Sequence, residues 1–471
     1  MSLDPVLDLD ALDLSRRLAA GEISAEALMA ATLERIAEVN GAINAIVSLR
    51  DADDLLAEAR AADAAPRKGW LHGIPMAVKD LVQTAGIRTT MGSPIYAETV
   101  PVADEGLARR LRAAGAILIG KTNVPEFGLG SHSINPVFGP TRTPYDVTRS
   151  AGGSSGGAGA ALAARMVAVA DGSDMMGSLR NPAGWNNVYG FRPTWGVVRS
   201  DPLGDTFLHP LSTNGAMARS PADIAALLMT LADNDPRLPF GRAPQEYLQG
   251  IDADIAGRRI GWLGDWGGAL AMEPGILPLV EQALTVFARL GCTVEPVSPP
   301  FSADEMWESW RVLRHFAVAS RLKPLFDDPG TRALLPPKAI WEIEGGIGLS
   351  AFDVQAASEI RSRWFARAAT LFDRFDALVL PSAQMWPFPA EWDWPKAIGG
   401  VAMDTYHRWM QVVVPASLIG LPAISVPAGF GDQGLPMGMQ LIGRAGSDAA
   451  LLQLAQGYHQ ATRWTDRKPP F

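Results

Sequence analysis

Residues 150–193 read SAGGSSGGAGAALAARMVAVADGSDMMGSLRNPAGWNNVYGFRP, and the order of textures in this stretch decides the fold. Gly152-Gly153-Ser154-Ser155-Gly156-Gly157 is a loop in which four glycines flank two serines, and the small-residue run AGAALAA follows it. Glycine there permits unusual dihedrals and close backbone approach, and a helix opening on such a loop presents free N–H groups. The β-type run MVAVADG comes next and feeds the tight turn SDMMGS. A loop, a small-residue helix, a strand and a tight turn follow one another within 44 residues, and strands alternating with helices imply a sheet covered by helices on both faces. The Gly/Ser loop by itself also fits a phosphate cradle, but no GxxxxGK[ST] pattern and no adjacent lysine supports that reading.

Outward from this segment the alternation continues. The β-type runs PMAVKDL and AILIGKT alternate with glycine-rich turns and helical stretches such as Glu105–Ala114. Residues 9–64 are alanine-rich, with apolar positions at three- and four-residue intervals, which predicts two or three helices. Beyond Ser220, the segments PADIAALLMTLAD, RRIGWLG, a helical Pro278–Leu290 and TVEPVS repeat the pattern. Residues 301–400 become helical and carry Trp307, Trp310, Trp341, Trp364, Trp386, Trp392 and Trp394, and ALVLPSA, LPAISVPAGF and GMQLIGR return to β texture. The expectation is an α/β fold: a mixed sheet sandwiched between helices, with a helical N-terminus and a partly helical lobe. As one domain over 1–471 it divides into a helical 1–64, a catalytic core 65–235, a variable lobe 236–400 and a C-terminal return to the sheet, 401–471.

Composition narrows the chemistry. Of 471 residues, 48% are hydrophobic and 19% charged, enough for a large core, and 47 Gly with 36 Pro imply many turns. One cysteine, Cys292, forbids an internal disulfide and a cysteine-based metal centre. The six histidines contain no pair at HExxH spacing, so a metalloenzyme is not expected. A net charge of −9 without a Lys/Arg block disfavours nucleic-acid binding. The acidic start MSLDPVLDLDALDLSRR lacks a basic segment followed by an apolar run, and no stretch of eighteen apolar residues occurs. A cytoplasmic protein without membrane attachment is therefore expected.

Two further residues bear on catalysis. Ser178, on a turn leaving a strand, has the setting of an acyl-transfer nucleophile with backbone N–H groups beside it. A serine needs a base, and the histidines stand at no recognisable spacing from it. Lys79 lies among Ile74, Met76, Ala77 and Val78. Loss of hydration there disfavours its charged form and leaves an amine that accepts a proton. The competing reading pairs Lys79 with the adjacent Asp80. His72 reads as a turn or packing residue, His132 and His209 as pocket-lining candidates, the tryptophans chiefly as core, and Arg112 and Arg165 as solvated charges.

HGIPMAVKD, GPTRTPYDVTRSAGGSSGG, GSDMMGSLRNPA, GFRPTWG, GLPAISVPAGF and GLPMGMQLIGR together resemble the amidase signature family in order and spacing. The likeness spans nearly the whole chain and is weakest over about 235–400. It implies a Ser–cisSer–Lys triad made of Ser178 as nucleophile, Ser154 as bridging serine after a cis peptide, and Lys79 as base. It places the oxyanion hole on the N–H groups of Met175, Met176, Gly177 and Ser178, with Ser155, Asp174 and Arg180 in support. Met176-Gly177 departs from the two small residues usual before the nucleophile. A methionine there is strained if φ is positive; otherwise its side chain narrows the acyl pocket.

The activity implied is cofactor-free hydrolysis of a C–N acyl bond in a small amide through an acyl-enzyme, with aryl amides fitting the tryptophan content. Carbamates (a urethanase activity) and esters remain open. The alternative within the family is an amidotransferase subunit that supplies ammonia to a charged tRNA, and a silent binding protein is disfavoured by the presence of all three triad residues. A homodimer is compatible with the sequence.

Overall fold

The computed structural model describes residues 3–202, 204–208 and 210–471. Its centre is an eight-stranded mixed sheet in the order Thr293–Pro296, Arg259–Trp262, Ala377–Pro381, Pro436–Ile442, Ala423–Phe430, Tyr189–Arg192, Thr213–Ala218 and Val169–Asp174. The first three strands run parallel to one another and every later neighbour is antiparallel. The parallel strands need crossovers, supplied between Arg259–Trp262 and Thr293–Pro296 by the helix Ile276–Arg289. The antiparallel strands Ala423–Phe430 and Pro436–Ile442 form a hairpin whose buried residues include Ile424, Val426, Met439 and Leu441. Helices Pro221–Leu231 and Asp448–Thr462 close over the sheet in the largest apolar cluster, where Leu227, Leu228, Leu451 and Tyr458 meet Ile260 and Val379.

A second sheet of three strands, Ile46–Val47, Ile117–Thr122 and Pro75–Lys79, abuts the outer strand Val169–Asp174. The junction is made by the Lys79 N–H, which donates to Asp171 Oδ1 at 3.0 Å. All five residues of Pro75–Lys79 are buried, so the lysine ends its strand largely stripped of solvent. The helix Gly156–Ala163 fills the angle between the sheets and is buried along its whole length. It fits only because its residues are small: a Cβ on Gly157 would lie 2.3 Å from Asn123 N and 2.6 Å from Ala45 O.

The N-terminal residues form the helices Ala11–Ala20, Ala25–Ile43 and Ala52–Ala64, with Ser24 capping the second and Asp51 the third. Within 236–400, strands Arg259–Trp262, Thr293–Pro296 and Ala377–Pro381 belong to the main sheet. The helical lobe is narrower than that interval, formed by Ala303–Asp327, Pro337–Ile347 and Ala351–Leu371 with the short turn Pro329–Arg332. Trp307, Trp310 and Trp364 are buried in a second apolar cluster with Trp266 and Trp409, whereas Trp341 and Trp392 are 38% and 49% exposed. Arg165 departs from the expected solvated charge. It is buried, donating from Nη1 to Ala163 O at 3.0 Å and from Nη2 to Thr465 O at 2.7 Å. Arg112 remains half-buried beside Asp104 at 3.0 Å.

Candidate active site

Lys79 leaves its strand pointing at the Gly/Ser loop. Its Nζ lies 2.9 Å from Ser154 Oγ, 2.8 Å from Ser155 Oγ, 3.0 Å from Ser173 Oγ and 3.3 Å from Ser173 O. All of these partners are neutral oxygens. Asp80, the competing partner, turns instead to Thr90, whose N–H and hydroxyl it accepts at 3.0 and 2.5 Å. Burial strips the Lys79 ammonium of water and brings it down to about 7, against the Asp171 and Asp174 carboxylates, which act in the opposite direction. The peptide between Gly153 and Ser154 is cis. Ser154 and Ser155 are both buried.

The turn that carries Ser178 is joined to this loop by one backbone bond, the Ser155 N–H donating to Ser178 O at 3.1 Å. Asp174 organises the turn. Its Oδ1 accepts the Gly177 N–H at 2.8 Å and its Oδ2 the Leu179 N–H at 3.2 Å. Arg180 grips the same carboxylate with Nε and Nη2, each at 3.0 Å, and spends its remaining N–H groups on Val413 O, Gln440 Oε1 and Ser417 Oγ. Arg192 approaches Asp174 Oδ1 at 3.4 Å from the other side. Burial would raise the Asp174 carboxyl, but the two guanidiniums hold it below the ordinary carboxylate range. Asp174 and Arg180 thus stand where the supporting role was expected, as a fully buried ion pair.

The expected oxyanion donors divide. The Gly177 N–H is committed to the Asp174 carboxylate, so the anticipated set loses that member. The N–H groups of Met175, Met176 and Ser178 have no acceptor among the described residues. Nor is Met176 strained: positive φ falls on Gly177, at 77°, where a Cβ would meet both Val413 methyls at 2.8 Å. The Met176 side chain is buried in the apolar cluster that contains Trp185 and Val413.

Several participants escaped the sequence reading. Asp171 and Ser173 alternate along Val169–Asp174, so both face the Lys79 strand; the period of two carried that signal. Arg192 lies in the GFRP motif. Arg314, Glu342 and Tyr406 come from the lobe and beyond it and have no local signal. The Arg314 Nε donates to Glu342 Oε1 at 2.6 Å, the Tyr406 hydroxyl reaches the same oxygen at 2.6 Å, and Arg314 Nη1 lies 3.4 Å from the Met175 sulfur. The lobe is thereby tied to the segment that carries the free N–H groups.

Among the described residues no histidine is hydrogen-bonded to Lys79, Ser154 or Ser178. His72 holds a turn, contacting Ala62 O at 2.9 Å and accepting the Lys68 N–H at 3.3 Å. His132 spans Ser150 Oγ at 2.7 Å and Ala390 O at 2.8 Å, and burial brings it down to about 4, so it is a neutral strut. His209 lies outside the described residues. Among the described residues no group of three or more His, Cys, Asp or Glu is placed to hold a metal ion, and no helix is long and apolar enough to cross a membrane.

Comparison with known proteins agrees with this geometry. The family model described as Amidase matches residues 27–452. A glutamyl-tRNA(Gln) amidotransferase subunit from Moorella thermoacetica is 35% identical, over 98% of this chain and 98% of that protein. The acylamidase of Rhodococcus erythropolis is 32% identical over 98% and 97%. The crystal structure of a bacterial aryl acylamidase of the amidase signature family superposes with a TM-score of 0.90 at 28% identity, covering 98% of this chain and 99% of that one. With the family pattern matched along most of its length, and with relatives above 30% identity along nearly all of it, the chain belongs to the amidase signature family and is an amidase.

Proposed function

We propose that the chain hydrolyses small acyl amides with Ser178 as nucleophile, Ser154 as proton relay and Lys79 as base. The observation that carries this reading is the Lys79 amine at 2.9 Å from Ser154 Oγ, brought to about 7 and touching no carboxylate. A neutral lysine has two N–H donors and one lone pair. The Ser155 and Ser173 oxygens take the two donors, which leaves the lone pair for the Ser154 hydroxyl. The Ser154 proton passes to Lys79 as Ser154 Oγ accepts the Ser178 proton, and Ser178 Oγ bonds to the amide carbon. The carbonyl oxygen becomes an oxyanion facing the free N–H groups of Met175, Met176 and Ser178. Such donors contribute about 3–4 kcal/mol each to the transition state. Collapse breaks the C–N bond, the amine leaves with the proton returned through Ser154, and water releases the acid by the same relay.

The substrate reading is an amide with an apolar or aryl acyl group, which the likeness to an acylamidase and to an aryl acylamidase favours, with carbamates and esters as chemically related substrates. The second reading, an ammonia-supplying component of a tRNA-dependent amidotransferase, is favoured by the 35% identity to the Moorella thermoacetica protein. One experiment separates the two: the isolated chain is offered primary amides, anilides, carbamates, esters and glutamine, and products are identified by mass. Hydrolysis of simple amides or anilides, abolished by Ser178→Ala with the fold intact by circular dichroism, is expected. Turnover of glutamine alone, and only with partner subunits present, overturns the amidase reading in favour of the second.

A further inference from the structure

Away from the triad, the structure contains a surface pocket of about 420 Å³ with aromatic walls, formed by Trp195, Phe207, Phe240 and Phe365 and floored by Ile419. Phe240 stands between two of its neighbours, 6.0 Å from the Trp195 ring and 5.7 Å from the Phe207 ring. Phe207, Phe240 and Phe365 are 61%, 60% and 44% exposed, although all three line the same cavity. An exposed apolar patch of this kind on a chain with an ample core marks a binding surface, and its volume falls in the range of small-ligand pockets, roughly 300–1,000 Å³. The residue that gives it chemistry is Arg361. Arg361 lines the same pocket, and among the described residues its guanidinium donates only to Ser358 Oγ at 3.3 Å and has no carboxylate at ion-pair distance. A half-buried guanidinium without a counter-ion, forked for planar bidentate acceptors, is matched by a carboxylate.

We propose that this pocket is a second ligand site for an amphipathic monoanion of the arylalkanoate class, with the carboxylate on Arg361 and the apolar body among the rings. It is separate from the catalytic machinery, on the far side of the helix Val414–Leu418. That helix gives Ser417 Oγ to Arg180 at 2.7 Å, and Leu418, Ile419 and Gly420, at its end, face the pocket. A second copy of the chain is the poorer occupant. No carboxylate is among the residues that line the pocket, so pairing this patch with itself would bury two guanidiniums without partners.

The test is calorimetric titration of the full chain with 4-phenylbutyrate, beside its neutral analogue 4-phenylbutan-1-ol. Arg361→Gln and Phe365→Ala are titrated alongside, and sedimentation velocity is run on each protein. The expected result is one-to-one binding of the carboxylate, weakened at least tenfold in Arg361→Gln and several-fold in Phe365→Ala. The alcohol should bind the parent no better than the carboxylate binds Arg361→Gln, and Arg361→Gln should keep the parent kcat/KM for amide hydrolysis without ligand. Failure of 4-phenylbutyrate to bind, affinity unchanged in Arg361→Gln, or equal affinity for acid and alcohol overturns the proposal. So does a concentration-dependent dimer that Phe365→Ala dissolves, which makes the patch an interface between copies.

Discussion

Around Ser154, the Lys79 amine meets only neutral oxygens, those of Ser154, Ser155 and Ser173 at 2.8–3.3 Å. Around Ser178, the turn hangs on a carboxylate with two guanidiniums at 3.0 and 3.4 Å. The two serine loops lie side by side yet are held by different physics, and each choice suits its neighbour. A carboxylate in contact with Lys79 would hold it charged and unable to accept a proton. Hydroxyls satisfy its N–H groups without that effect. The Ser178 turn needs a rigid clamp for backbone N–H groups, and a carboxylate that accepts from both Gly177 and Leu179 provides one. Left alone, that carboxylate would be a buried charge close enough to raise Lys79. Arg180 and Arg192 neutralise it locally, so the clamp can sit beside a lysine brought to about 7.

The largest break in this comparison is Lys79→Met, which keeps the apolar stem and removes the amine. We expect kcat to fall about 10²–10⁴-fold, the scale of a lost general base, with the melting temperature unchanged or raised because a buried amine has been replaced by a thioether. Pre-steady-state kinetics on an anilide checks this: an undiminished acylation burst would exclude Lys79 as the base.

On the other loop, Asp174→Asn retains an oxygen for one of the two N–H groups but removes the charge that Arg180 and Arg192 share. Breaking a buried pair in this way leaves a cation uncompensated, and stability falls by about 3 kcal/mol, the low end for such pairs because one acceptor survives. Urea denaturation measures it. A loss below about 1 kcal/mol would mean that the guanidiniums find other acceptors, Val413 O and Gln440 Oε1 being the nearest to Arg180.

The difference between the loops also explains what the sequence made legible. The triad residues sit in short motifs whose residue types are dictated locally: small residues where Gly157 meets the Asn123 backbone, glycine where φ is 77° at position 177, and an apolar strand around Lys79. The clamp was half legible. Asp174 and Arg180 are six residues apart and could be paired on paper, whereas Arg192 needed the sheet to bring Tyr189–Arg192 beside the turn. The N–H inventory was not legible at all, since which backbone group Asp174 captures depends on the turn's dihedrals and not on residue identity. The Arg314–Glu342–Tyr406 cluster is joined across 28 and 64 residues by packing of the lobe alone. Of the seven tryptophans over 301–400, Trp307, Trp310 and Trp364 proved to be core, Trp386 and Trp394 are partly buried against it, and Trp341 and Trp392 are exposed.

The finest distinction between the loops concerns Asp171. It touches Lys79 only through the backbone N–H, at 3.0 Å, yet after burial its charge is the largest influence on the amine and acts to raise it. Burial raises the Asp171 carboxyl too, and its Oδ2 has no partner among the described residues. Asp171→Asn keeps the acceptor for the Lys79 N–H and deletes the charge. With Lys79 as the proposed base the active form is the neutral amine, so kcat/KM is expected to rise with pH through its ionisation near 7 and to fall tenfold per unit on the acid side. Deleting a negative neighbour destabilises the ammonium, lowers the ionisation and moves the rising limb to more acidic pH, so the variant is relatively more active at pH 6 than the parent. A limb that does not move means that Asp171 is already protonated across this range, its carboxylate discharged by burial, and that the hydroxyl cage and desolvation alone set the base. A limb that moves to higher pH contradicts the sign of the interaction, and with it the separation of a neutral cage around Lys79 from a compensated charge around Ser178.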